Sequence, residues 1–345
     1  SQNVDWLSYN PTAAAPTDIF DRCGGYPNPV QRHMNVVKID NDGNVVWNYL
    51  YGIEAYDAPN DGLIAATTRS IGTDLVEGPW GNLRCVGSAT DLADNGVKKV
   101  FVVDLDMQTG YVNSMNLFGQ AGTDSEAKAI ALSDQNNTYA VTGYMGYTGA
   151  TRSRALASLL SPAPAFNNPA DLNPYWTVYA DDYDSRIKTS DHAASWDVDF
   201  DHDNNILFPV IGNMNREPFN INIKAEGFVL TLQAASTVPT TLARNTALLG
   251  ALQAYDLRLG ITATSDDGFA VTSSKVLYEI RDRFDPILDG VVLPIPETTP
   301  CHPDKGYVWD SWNSDAYVAK FNGTTTTSSW TLDWDKTYDS YGQRA

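Results

Sequence analysis

The chain has 345 residues, 23 Lys and Arg against 42 Asp and Glu, and a formal net charge of −19. Acidity of that strength excludes the basic footprint that nucleic acid requires and disfavours an anionic membrane surface. A hydrophobic content of 43%, with 9 Trp, 18 Tyr and 11 Phe, suffices for a large core and argues against disorder, and the lack of any run of about 18 apolar residues predicts no membrane insertion.

The opening Ser1-Gln2 is expected to mark a mature chain that has lost a signal peptide, or a trimmed one. Residues 35–52, NVVKIDNDGNVVWNYLYG, read as a strand, an Asp/Asn/Gly turn and a returning strand that carries Trp47. A second kind of unit follows at 82–90, NLRCVGSAT, and the first kind recurs at 101–119, FVVDLDMQTGYVNSMNLFG. The second kind returns at 127–146, AKAIALSDQNNTYAVTGYMG: a strand of small and apolar residues, a polar turn, then an apolar strand ending near Gly or Ser. Residues 155–180 hold a degenerate first unit, interrupted by a Pro-rich insertion at 162–174. Second units appear again at 193–213, AASWDVDFDHDNNILFPVIGN, and 261–274, ITATSDDGFAVTSS. First units appear at 227–233, GFVLTLQ, and 315–334, DAYVAKFNGTTTTSSWTLDW. DQNN, DHDNN and SDDG are predicted hairpin turns, because Asn, Asp and Gly tolerate positive φ. The best helix candidate is Thr241 to Ala254, TLARNTALLGALQA, weakened by Gly250. A second Pro-rich stretch, 285–303, is placed as a loop.

First units start near residues 35, 101, 155, 227 and 316. The steps of about 55 to 90 residues hold about four strands each, the content of a propeller blade. The expected fold is therefore all-β: a β-propeller of about five to seven four-stranded blades with Pro-rich loop insertions. Residues 1–33 form a separate N-terminal segment that can close the ring, and 34–345 form the repeats, the fifth copy lacking its second unit. Blades packed on both faces explain why VFVV and ILFPVI do not alternate in polarity. DAYVAKFN, NVVKIDNDGNVVWNYLYG and SDDGFAVTSS resemble the repeats of secreted bacterial β-propellers, the SBBP-like and delta-60-like repeats of Bacteroidetes-type surface proteins. That resemblance implies a secreted or cell-surface protein.

The most distinctive stretch is DVDFDHD, which spaces Asp197, Asp199, Asp201 and Asp203 at period two. On a strand these carboxylates share one face, suited either to solvent or to a hard cation such as Ca²⁺. Asp40, Asp42 and Asn44 match half of a calcium loop, but Tyr51 stands where its closing Glu belongs, so the segment reads as a hairpin turn. His192, preceded by Asp191, and His202 are the weak candidates for a catalytic base; His33 and His302 complete the histidines. Cys23, Cys85 and Cys301 allow one intrachain disulfide of open pairing. Trp309 and Trp312, in YVWDSWNSD, fall outside the repeat frame beside Asp and Asn, a composition suited to stacking on sugar rings. Asn136 and Asn322 begin glycosylation sequons.

No phosphate-binding, nucleophile-elbow or zinc-protease motif occurs. The favoured expectation is a non-catalytic surface propeller, structural, adhesive or binding, with glycans, other surface proteins or further copies of itself as partners. The alternative is a propeller enzyme with a central-funnel site, arylsulfotransferase-like or quinoprotein-like.

Overall fold

A computed structural model describes residues 34–51, 69–146, 153–161, 172–183, 190–214, 224–235, 237–238, 241–245, 259–276, 314–322 and 330–338. The described residues are all-β, with only short 3₁₀ turns besides. A hairpin comes first, β1 (Met34–Ile39) and β2 (Val45–Tyr51). Sheet I is an antiparallel meander of β3 (Ser70–Glu77), β4 (Asn82–Asp91), β5 (Val97–Asp106) and β6 (Val112–Phe118). Sheet II repeats it with β7 (Ser125–Leu132), β8 (Tyr139–Gly146), β9 (Ser153–Leu160) and β10 (Pro174–Tyr179). Sheet III holds β11 (Ser190–Ala194) and β12 (Asp199–Phe200), both paired with β13 (Asn205–Met214), then β14 (Lys224–Gln233) and β15 (Thr241–Asn245). Sheet IV is β16 (Gly260–Ala263), β17 (Phe269–Val276), β18 (Ser314–Asn322) and β19 (Thr331–Tyr338). A parallel bridge from His192 to Ser153 joins sheets II and III.

The strands fall on the repeated segments, but with a different phase from the one the sequence suggests. Sheets II to IV each open with a second unit and finish with the first unit that follows it; in sheet I the unit at 82–90 is the second strand, β4, and β3 precedes it. The copy at 315–334 therefore supplies the outer half of sheet IV. The helix expected from Thr241 is also corrected. Residues 241–245 are strand β15, paired with β14 from Val229↔Asn245 to Leu232↔Thr241, and ladder pairing there overrides helix propensity; the remainder of that candidate lies outside the described residues.

The predicted turns form as expected. Asn137, Asn204 and Asp267 take φ of 58°, 64° and 61°. In the first hairpin, Asp40 Oδ1 accepts the amides of Asp42 and Asn44 at 3.0 and 2.8 Å. The opening strands of sheets I and II also carry a local irregularity. A bulge at Thr73 in β3 and another at Lys128 in β7 push a carbonyl towards the neighbouring strand. A Cβ on Gly87 would lie 1.8 Å from the Ile71 oxygen, and one on Gly143 would lie 1.9 Å from the Glu126 oxygen. Gly87 and Gly143, inside β4 and β8, are there to admit that approach.

Successive sheets bury their faces against each other. Met34, Val36 and Trp47 of the hairpin meet Cys85, Phe101 and Val103 of sheet I. Val100 and Val102 on the other face of β5 meet Tyr139, Val141 and Leu156 of sheet II. Ala140, Ala157 and Leu159 meet Phe208, Phe228 and Leu230 of sheet III. Leu207 and Val229 then meet Phe269, Val271 and Phe321 of sheet IV. Sheets I to III are thus apolar on both faces, which is why their strands read as continuous apolar runs. No helix among the described residues is long and apolar enough to cross a membrane.

Candidate functional site

The opening strands lie side by side in the order β3, β7, β12, β16. Each is the edge of its own sheet, so one row of backbone groups has no ladder partner. Side chains fill that role. Asp74 Oδ1 accepts the Leu75 amide at 2.8 Å, and its Oδ2 accepts the amide of Ile130, on β7 of the next sheet, at 2.9 Å. Asp197 repeats the arrangement: Oδ1 takes the Val198 amide at 2.9 Å, and Oδ2 takes Ile261, on β16, at 2.8 Å. Asp199 does so again two residues on, with Phe200 at 2.8 Å and with Ala263 at 2.8 Å, and it also accepts the Thr262 hydroxyl at 3.1 Å. Thr73 donates to the Ala127 carbonyl at 2.9 Å, and Thr142 donates to the Asp197 carbonyl at 3.0 Å.

The recurrence has a sequence basis. Gly78, Ser133, Asp201 and Thr264 each donate a backbone N–H across the turn that follows them, to Asn82, Thr138, Asn205 and Gly268. Asp74 and Asp197 stand four residues before that donor, where sheets II and IV have Ala129 and Gly260. Two of the four opening strands therefore carry a carboxylate clasp that reaches forward to the next sheet.

Burial raises the pKa of Asp74, against the lowering effect of its two amide donors. Burial likewise raises Asp197, and the charges of Asp74 and Asp199 push it further in the same direction. Asp74 reaches β7 and Asp197 precedes β12, and β7 lies beside both β3 and β12. Nearby, Lys128 pairs with Glu126 and sits over the rings of Trp196 and Tyr144, 4.7 and 5.4 Å from their centroids. A cleft of about 730 Å³ opens beside β3, lined in part by Met34, Val36, Ser70, Thr73, Asp74 and Cys85.

The four aspartates of DVDFDHD do not act together. Val198 and Phe200, which alternate with the carboxylates, enter the core between sheets II and III. Asp197 and Asp199 are spent on β16 amides. The strand ends at Phe200, so Asp201 turns back to accept the Asn205 amide at 2.7 Å and its side-chain amide, and Asp203 is exposed in the turn. Among the described residues, no three His, Cys, Asp or Glu side chains converge as metal ligands. His202 is exposed in the same turn, its carbonyl accepting the Gln135 side chain. His192 lies in β11, opposite Asn213 and Ser153. Cys85, counted among the thiols available for a disulfide, is a free, buried thiol whose pKa burial pushes up to about 12. Asn136 Oδ1 accepts the Thr138 amide and hydroxyl at 3.0 and 2.6 Å, closing its own turn. Asn322 ends β18. Cys23, Cys301, Trp309 and Trp312 lie outside the described residues.

The sequence reading missed a second polar junction, between sheets I and II. Arg84 is fully buried, donates to Asp104 Oδ2 from Nη2 at 3.0 Å and to the Ser161 carbonyl at 2.9 Å, and lies 3.9 Å from the centre of the Tyr139 ring. Asn82 and Asn113 donate to the same carboxylate at 2.6 and 3.1 Å. Its signal was available as one Arg within NLRCVGSAT and one Asp within FVVDLD, each a charge inside an apolar strand. The chain matches no protein-family model, and no curated protein proved similar to it.

Proposed function

We propose that the chain is a non-catalytic β-propeller of the secreted or cell-surface kind, a scaffold and binding module within an extracellular assembly. The supporting observation is how the inward-facing polar groups are used. Asp74, Asp197 and Asp199 each spend both carboxylate oxygens on backbone amides, and one of each pair of bonds ties a sheet to its successor. In this reading β3, β7, β12 and β16 line the axis of the propeller, and the carboxylates brace the ring. The side-by-side order of β3, β7, β12 and β16 supports a shared axis, because each sheet meets its successor along its opening strand. The four face-to-face cores support blade packing. The resemblance to secreted bacterial repeats supports an extracellular setting, with glycans or surface proteins as partners and Trp309 and Trp312 as the aromatic contacts.

The test is binding of the labelled chain to a glycan array and to cell envelopes. Saturable binding that Trp309→Ala with Trp312→Ala weakens is the expected result. No binding, together with turnover of an aryl sulfate or of an alcohol with added quinone, would replace this reading with an enzymatic one.

A further inference from the structure

Sheets I and III reach forward with a carboxylate, but in sheet II Ala129 stands where they have Asp74 and Asp197. Its methyl group lies in the core between sheets II and III. The residue just before that position is Thr73 in sheet I, Lys128 in sheet II and Trp196 in sheet III. Thr73 is the bulge residue of β3, and its hydroxyl reaches forward to the Ala127 carbonyl of sheet II at 2.9 Å. Lys128 is the bulge residue of β7. It too reaches forward, placing Nζ 4.7 Å from the centre of the Trp196 ring. A bulge re-aims its side chain off the ladder, which is how both residues meet the next sheet.

The ammonium is closely surrounded. Nζ pairs with Glu126 Oε1 and lies 5.4 Å from the centre of the Tyr144 ring. Glu126 and Tyr144 are directly opposed in register, and the Tyr144 hydroxyl donates to Glu126 Oε2 at 2.8 Å. Burial, and then the Glu126 charge, raise the pKa of that phenol, so it stays a donor. The Lys128 and Glu126 side chains are only 14% and 8% exposed. Glu126, Lys128 and Tyr144 all belong to sheet II, and the Trp196 ring is what sheet III contributes. The backbone on both sides of Trp196 is tied to β8: the Ser195 amide donates to the Gly143 carbonyl at 3.1 Å, and the Asp197 carbonyl accepts the Thr142 hydroxyl at 3.0 Å.

We propose that Lys128 is the latch of the seam between sheets II and III: its charge, balanced by Glu126, holds Trp196, and loss of that charge releases this seam while the two carboxylate seams stay closed. An indole is the best ring for a cation, and the attraction grows as water is excluded. Removing the ammonium also leaves the Glu126 carboxylate buried without its cation. The inference needs only the contact between two adjacent sheets, so it stands or falls separately from the scaffold reading.

The experiment is amide hydrogen exchange on the full chain. Lys128→Met keeps the apolar stem and removes the charge. The Ser195 amide is expected to exchange at least about tenfold faster in that variant. The Ile130 and Ile261 amides, held by Asp74 and Asp197, exchange as in the wild type. Lys128→Arg restores protection, because a guanidinium also stacks on an aromatic face. Unchanged exchange at Ser195, equal acceleration at all three amides, or an Arg variant that behaves like the Met variant overturns the proposal. A second measurement uses the wild-type chain and an amine-acylating reagent. Lys128 is expected to label at least about tenfold more slowly than the exposed Lys98, and chains acylated at Lys128 show the faster Ser195 exchange. Equal labelling of the two lysines, or acylated chains with Ser195 still protected, overturns it.

Discussion

Replacing Asp197 by Ala tests the clasp directly. The substitution strands two amides, those of Val198 and Ile261, in residues that are only 5% and 6% exposed. A buried donor left without an acceptor costs about 1–3 kcal/mol. The loss is partly offset, because burial and the neighbouring charges of Asp74 and Asp199 already disfavour the ionised carboxylate. The net expectation is about 3 kcal/mol of destabilisation. Asp197→Asn keeps the shape and one acceptor but turns an NH₂ towards the other amide, so it falls between Ala and wild type. Asp203→Ala is the control, since an exposed turn residue of that kind changes stability by less than about 0.5 kcal/mol. The assay is urea unfolding followed by Trp fluorescence, with hydrogen exchange at the Ile261 amide read alongside. If Asp197→Ala unfolds at the same urea concentration as Asp203→Ala and the Ile261 amide stays protected, the clasp is not holding sheets III and IV together.

Other consequences are open to measurement. Arg84→Ala leaves Asp104 buried without its cation and costs about 3–5 kcal/mol in thermal or urea unfolding; a loss below 1 kcal/mol would contradict the junction between sheets I and II. Gly87→Ala drives a Cβ into the Ile71 carbonyl and is expected to disrupt sheet I, whereas Gly146→Ala, with nothing within 4 Å, is tolerated; circular dichroism and expression yield separate the two. Asp74 and Asp197 have folded-state pKa values raised above the unfolded carboxylate value, so the stability they contribute is fully present below about pH 4 and is lost as pH rises through the folded values. Asp74→Asn with Asp197→Asn therefore flattens the fall in unfolding free energy from pH 4 towards neutrality, and an unchanged slope would count against it. Cys85 resists a thiol reagent in the folded chain and reacts only on unfolding, as its burial and raised pKa require.

Local chemistry made much of this legible in the sequence. Turn residues that accept positive φ marked Asn137, Asn204 and Asp267, and period-two spacing put Val198 and Phe200 inward of Asp197 and Asp199. What the sequence hid is non-local. The amide that Asp197 caps lies 64 residues away, and nothing near Asp197 signals it, so solvent and a cation were the natural readings. The phase of the sheets depends on which unit pairs with which, and each unit alone looks complete. Thr241 to Asn245 has adequate helix propensity and becomes a strand only because β14 offers it a ladder. Arg84 and Asp104 sit on adjacent strands in direct register, a pairing that two strand segments read separately do not reveal.

Electron microscopy of the isolated, monomeric chain tests the central claim most directly. Sheets radiating from one axis, with β3, β7, β12 and β16 innermost and Asp74 and Asp197 facing the same channel, are the predicted result. Two stacked sheets, or an extended row that holds those two carboxylates far apart, would contradict it.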